Sequence, residues 1–254
     1  MLKNERDKEI LRQLLKDGEV IVEQLAERFE TSPATIRREL SNLEGAGLLR
    51  RTHGGAIQVE PMLYEPFRRL SSFAAQGQMR LTEKRRIGLA AAEMIKDGEV
   101  VALSAGTTTT QVGRSIHDRK GVTLVTNAIN IAMELSHRVD LKIIMTGGCL
   151  NKNWFALTGP AGVASVKESF YDRAFISVDG IHPQHGLTAD SAELAAVNRA
   201  IIQQSRITVV VADHSKFGKV GKTLIAPIAN VDLIITDKGA PRLLSGDSPK
   251  VVWV

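Results

Sequence analysis

The chain has 254 residues, enough for one large domain or two unequal ones, and its 43% hydrophobic and 24% charged content supports a sizeable core. It has no apolar run near the roughly 18–20 residues of a membrane span, and no apolar signal segment in its first ten residues, so a cytoplasmic protein without a membrane partner is expected. A single cysteine, Cys149, excludes an internal disulfide and a cysteine-rich zinc site, and the net charge of +5 only hints at a polyanionic partner.

Residues 3–17 read as an amphipathic helix with Ile10, Leu11, Leu14 and Leu15 on one side, ended by Asp17-Gly18. Glu19-Val20-Ile21-Val22 leads into a second helix from Glu23 to Phe29. Ser32 is placed to cap a third helix, with Pro33 at its first position and Ile36, Leu40 and Leu43 inward. Thr35, Arg37, Arg38 and Asn42 lie off that face. After Gly45 and Gly47 a short strand from Leu48-Leu49 delivers Arg50, Arg51 and His53 to a Gly54-Gly55 turn. Over residues 1–57 ten Lys and Arg balance ten Asp and Glu, so the placement of the arginines carries the nucleic-acid reading, not their sum. Three helices and a basic hairpin in 57 residues predict a winged helix-turn-helix that binds double-stranded DNA. Thr35, Arg37 and Arg38 are expected in the major groove, Arg51, His53 and Gly54 on the wing at the backbone, and Thr31 and Ser32 donating to phosphate at the helix start. The alternative, a small helical oligomerisation domain, leaves the paired arginines without a purpose.

Residues 58–80, interrupted by Pro61 and Pro66, read as a linker. A basic cluster, Arg68, Arg69, Arg80, Lys84, Arg85 and Arg86, runs through it and beyond. From 81 to 254 the pattern becomes α/β. Thr82 is expected to cap a helix reaching Lys96, and strands are expected at 100–103, 122–126, 141–146, 174–178, 207–212 and 233–236. Helices are expected near 109–117, 129–136, 191–205 and in the 160s. Strands apolar on both faces and separated by helices predict a mainly parallel sheet covered on both sides.

Such sheets bind ligands at the carboxyl ends of their strands. Ser104-Ala105-Gly106-Thr107-Thr108-Thr109-Thr110 follows the first strand and opens a helix, which suits an anion, although a threonine run can also serve only as a cap. Asn127 ends the second strand, Gly147-Gly148 the third, Asp179-Gly180 the fourth and Asp213 the fifth, with Lys216 nearby. Together they predict a polar ligand pocket. A metal site from His182, His185 and His214 is a weaker reading, and neither a metal nor a cofactor is expected.

The motifs SPATIRREL and RRTHGGA, followed by AGTTT, LVTN, TGG, FISVDGI and ADHSKFG, span nearly the whole chain in one order. In that combination the chain resembles DeoR-family bacterial transcriptional regulators. The resemblance implies a repressor of a carbohydrate-metabolism operon. Its C-terminal domain would be similar to ribose-5-phosphate isomerase and would bind a phosphorylated sugar or related metabolite. Carried over, Gly106 to Thr109 would hold the phosphate, and Asp179 and Lys216 would approach the sugar hydroxyls or the phosphate. Family members usually carry aspartate at the position of Ser104, and glutamate at the position of Leu194, where this chain has Glu193 one residue earlier. That step turns the carboxylate by about 100° on a helix, away from the pocket.

A regulator competes with an active sugar-phosphate isomerase that carries a DNA-binding head. An isomerase needs a placed general base, and the carboxylates near the strand ends are Asp179, Asp190, Glu193 and Asp213. A glycine-threonine loop, a lysine and displaced acids suit binding better than turnover, so no enzyme is expected. One head reads few bases, so a homodimer or homotetramer on repeated half-sites is expected.

Overall fold

In the computed structural model, residues 3–45, 48–58, 72–243 and 249–254 are described, and the chain divides into units of residues 1–62 and 63–254. Gly47, Pro61, Pro66, Arg68 and Arg69 lie outside the described residues.

The first unit is a winged helix-turn-helix. Helix α1 (Lys3–Asp17) stops at Gly18, whose φ of +84° is the left-handed turn that glycine adopts without strain. Strand β1 (Glu19–Ile21) is followed by α2 (Val22–Arg28), α3 (Pro33–Gly45), β2 (Arg50–Arg51) and β3 (Gly55–Ile57). The strands form one antiparallel sheet in the order β1-β3-β2, so the wing is pinned to the segment before α2. A side chain at Gly55 would meet the Val20 carbonyl at 1.8 Å, which reserves that turn for glycine. Ile10, Leu14, Leu25, Ile36 and Leu40 are fully buried and form one core. The same core takes in a charge. Glu39 is 2% exposed and accepts from Arg6 Nε at 2.9 Å, which ties α3 to α1. Replacing Glu39 by Ala leaves that guanidinium without its buried partner. The expected loss of stability is about 3 kcal/mol by denaturant unfolding, and a loss below about 1 kcal/mol would remove the pair from the list of supports.

The second unit is built on a seven-stranded, all-parallel sheet. Its strands are β4 (Val100–Leu103), β5 (Val122–Thr126), β6 (Leu141–Met145), β9 (Arg173–Ile176), β12 (Thr208–Val211), β14 (Leu233–Thr236) and β15 (Lys250–Trp253). Their spatial order is β15-β14-β12-β9-β4-β5-β6. Strand residues alternate between the two faces. Val101 and Leu103 meet Ile87, Val112 and Ile131 from α5 (Leu81–Glu93), α6 (Thr107–Ser115) and α7 (Ile129–Leu135). Ala102, Ala174 and Ile176 meet Val166, Ala195 and Ile201 from α8 (Gly159–Lys167) and α9 (Ala192–Gln203). Burial on both faces explains why these strands read as continuous apolar runs. From β4 the chain builds outward through β5 to β6, and later returns to place β9 on β4's other side. The switch point therefore lies between β4 and β9, and the crevice beyond their carboxyl ends is where such sheets accept ligands.

Several elements differ from expectation. Helix α4 (Ser72–Gln78) occupies part of the stretch read as linker. Helix α5 starts at Leu81 after Arg80, which is left-handed (φ 53°, ψ 41°), so Thr82 lies within the first turn and caps nothing. Helix α6 begins directly after Gly106, which makes the threonines its first turn. A hairpin of β7 (Cys149–Asn151) and β8 (Ala156–Thr158) follows β6. A small antiparallel sheet of β10 (Gly180–His182), β11 (Gly186–Ala189) and β13 (Thr223–Ala226) lies within the same unit. Among the described residues no helix is long and apolar enough to cross a membrane.

Candidate functional site

On the first unit, Ser32 begins α3 as its cap. Its Oγ accepts the Thr35 N–H at 3.2 Å and lies 2.9 Å from the Thr35 hydroxyl. Arg37 is exposed but leans on Glu23 of α2, at 3.3 Å. Arg38 is exposed and, among the described residues, meets no partner. Arg51 bridges the wing to α3, its N–H reaching Glu44 at 2.8 Å and its Nη1 the Ser41 hydroxyl at 2.6 Å. Thr31 is half-buried beside Ser32, whereas His53 and Gly54 are exposed at the wing tip. The polar side chains named from the sequence thus share the α3 and wing surface. Among the described residues, Arg38 is a cation of α3 without a partner.

On the second unit, the loop after β4 lies at the switch point. Ser104 is fully buried, and its Oγ accepts the Ser177 N–H at 2.9 Å, binding the ends of β4 and β9 together. A side chain on Gly106 would meet Ser177 Cβ at 2.4 Å, so only glycine fits between these strand ends. Asn127 Oδ1 accepts the Ala105 N–H at 2.9 Å and Nδ2 donates to Leu157 O at 3.1 Å, bracing the loop from the β5 side. The threonines divide by role. The hydroxyls of Thr109 and Thr110 donate to the Gly106 carbonyl at 2.9 and 2.7 Å, whereas those of Thr107 and Thr108 meet no partner among the described residues.

Next to β9 and β12 lies a cavity of about 110 Å³, lined by Gln76, Met79, Arg80, Lys84, Asp213, Ser215, Lys216 and Lys219. At about 30 Å³ per water, it has room for a group of three or four waters' volume. Four cations face one lining carboxylate. Lys216 Nζ lies 3.7 Å from Asp179 Oδ1, and Arg80 Nε lies 3.7 Å from Asp213 Oδ1. Asp179 also accepts the Asp190 N–H at 2.9 Å. Lys84 is 3% exposed, and among the described residues its ammonium makes one hydrogen bond, to the Gln76 carbonyl at 2.5 Å. Burial pushes its pKa down to about 8, against the pull of Asp213. Helix α4 contributes Gln76 to the lining. Phe73 stacks edge-on against Phe155 with ring centres 5.5 Å apart, and Gly77 faces the Thr107 methyl.

The remaining candidates fall elsewhere. Gly147 and Gly148 are exposed and serve the turn into β7. Gly148 has φ +133° with no space for a side chain against Thr158, and Gly147 packs near α8. Gly180 is closed in by Lys219 O and Thr188 Oγ1, which makes it a packing glycine. Glu193 is exposed and accepts from the Ser191 hydroxyl at 2.7 Å, while Leu194 is buried. The His182 and His185 rings pair with centres 4.7 Å apart on the β10–β11 turn, and His214 instead bonds Asp237. Sequence reasoning missed Arg80 and Lys84 as pocket residues, together with Gln76, Ser177 and Asp237.

Residues 6–61 match the DeoR-like helix-turn-helix domain and residues 79–238 match the DeoR C terminal sensor domain. The chain belongs to the DeoR family. It is 35% identical over 234 residues to the transcriptional repressor AccR of Agrobacterium fabrum, covering 91% of this chain and 89% of that protein. It is 33% identical over 238 residues to the HTH-type transcriptional repressor GlcR of Bacillus subtilis, covering 94% and 90%. Among solved structures, ribose 5-phosphate isomerase A from Methanocaldococcus jannaschii aligns over 53% of each chain at 18% identity, with a TM-score of 0.39. In this DeoR-family chain the helix-turn-helix match falls on the Ser32 helix and its wing, and the sensor match holds the β4 loop and the cation-lined cavity.

Proposed function

We propose that this chain is a cytoplasmic transcriptional repressor of a carbohydrate-metabolism operon, released from its operator when a phosphorylated sugar binds with its phosphate in the cavity of the second unit. The observation that carries the effector class is the charge of that cavity. Lys84 is buried with a single hydrogen bond and stands among Arg80, Lys216 and Lys219. A buried ammonium held by little more than a carbonyl is costly, and an anion is the group that offsets it. Thr107 and Thr108 supply hydroxyls at the start of α6, where free N–H groups also favour phosphate. Asp179 and Lys216 would meet the sugar hydroxyls.

An enzyme would need a carboxylate poised as a base. Asp179 and Asp213 face cations instead, and Glu193 lies out in solvent. The repressors AccR and GlcR among the relatives support regulation over turnover. On DNA, Arg38 would read base edges while Arg37, Arg51 and His53 hold the backbone, with two or more subunits on repeated half-sites.

Replacing Thr107 and Thr108 together by Ala tests the loop. Operator affinity measured by fluorescence anisotropy should be unchanged, and the response to sugar phosphates should be lost. A double variant that responds like the unaltered protein would remove the loop from the effector site.

A further inference from the structure

One residue lining the cavity, Arg80, ends a chain of three side chains whose other members, His214 and Asp237, are not among the lining residues and have no part in the sugar-phosphate reading. Asp237 is 6% exposed and lies at the end of β14. It accepts the His214 backbone N–H at 2.7 Å, the Gly239 N–H at 3.0 Å and the His214 ring Nδ1 at 2.8 Å. Burial alone would raise this carboxyl, but those three bonds outweigh it and hold Asp237 below its ordinary range. On the other side of the ring, Arg80 Nε lies 3.1 Å from His214 Nε2. An arginine Nε–H can only donate, so Nε2 must carry the lone pair and the ring proton must sit on Nδ1, donated to Asp237. The hydrogen-bond pattern therefore sets the tautomer.

With Nε held by the ring, the guanidinium is fixed at one corner. Among the described residues, neither Nη of Arg80 has a hydrogen-bond partner, although Arg80 lines the cavity. The backbone adds a second constraint. Arg80 sits in the left-handed region, which a non-glycine residue enters at a cost, at the turn that joins α4 to α5.

Resting on the reading of this cavity as the effector site, we propose that Arg80 contacts the effector through its two Nη groups, and that Asp237 and His214 are positioning residues that aim it. A planar fork held at Nε presents two parallel donors, which match two oxygens of a phosphate or carboxylate on one ligand. Arg80 thereby selects for a bidentate oxyanion, which a single ammonium such as Lys84 cannot do.

The test uses the full-length protein with inorganic phosphate as probe, titrated by calorimetry, and histidine 15N NMR to read the tautomer. Arg80→Gly keeps the left-handed backbone without strain and should weaken phosphate binding about tenfold or more. Arg80→Lys should not restore it. Asp237→Asn offers an amide N–H to Nδ1, so His214 should change to the Nε2–H tautomer and binding should fall as it does in Arg80→Gly. His214→Gln, whose amide oxygen accepts from Nε, should retain most of the affinity. Phosphate binding by Arg80→Gly equal to the unaltered protein, while Lys84→Met has lost it, overturns this proposal and leaves the effector site standing. A His214 ring already protonated on Nε2 in the unaltered protein also overturns it. Absence of phosphate binding by the unaltered protein overturns both the proposal and the reading beneath it.

Discussion

Replacing Lys84 by Met makes the ligand-free protein more stable and makes it deaf to its effector. The side chain is 3% exposed, and among the described residues its ammonium has one hydrogen bond, in a cavity shared with three other cations. Burial holds its pKa near 8, well below the ordinary lysine value of 10.5. At one pKa unit per 1.36 kcal/mol, less the lost bond to Gln76, the expected gain is about 1–3 kcal/mol. The pH dependence follows from linkage. Between about pH 8 and 10.5 the unfolded lysine holds a proton that the folded one has released, so the penalty is full below pH 8 and fades as pH rises to 10.5. The advantage of Lys84→Met should shrink over that same window in scanning calorimetry. A bound anion restores the charged form, so phosphate affinity should fall above about pH 8, where the ligand itself no longer titrates. A Met variant that is less stable than the unaltered protein below pH 8, or that still responds to sugar phosphates, contradicts the assignment. Natural binding sites commonly retain such a group at the expense of stability.

Replacing Arg38 by Ala should cost about 1–3 kcal/mol on the operator, roughly a 5- to 150-fold loss, and much less on unrelated DNA. Arg38 is exposed on α3 and meets no partner among the described residues, so its fork is available to a guanine edge. Arg37 differs, because Glu23 lies 3.3 Å away and already turns its guanidinium aside. For Arg37→Ala the expectation is a uniform loss over all sequences, with the salt slope of binding reduced by about one. Anisotropy at several salt concentrations on operator and scrambled DNA separates the two. Equal losses on both DNAs for Arg38→Ala would assign it to the backbone.

The head was legible because its signals are local. Ser32 caps by reaching three residues along the chain, and Ile36, Leu40 and Leu43 carry the helical period. The parallel sheet was legible because strands such as β12, buried on both faces, contain no polar residue between their ends. The pocket was only half legible. Reading every strand end as part of one site placed Gly147 and Gly148 in it, but β6 is the outermost strand, two places from the switch point, and its end turns into a hairpin. Lys84 looked like one member of a basic run. Its spacing of three and seven from Ile87 and Ala91 puts it on the buried face of α5, and that was the signal available. Arg80 and Asp237 lie more than 150 residues apart and are joined through His214. No local pattern marks such a relay.

In the proposed function, a phosphorylated sugar bound at this cavity controls the grip of the head on DNA. Fluorescence anisotropy of the full-length protein on DNA from upstream of its own operon, repeated with a panel of sugar phosphates, tests it most directly. The expected result is tight, salt-dependent binding that one phosphorylated sugar reverses and its unphosphorylated form does not. Binding that no sugar phosphate alters, or a protein that converts the sugar phosphate while leaving the DNA untouched, would contradict it.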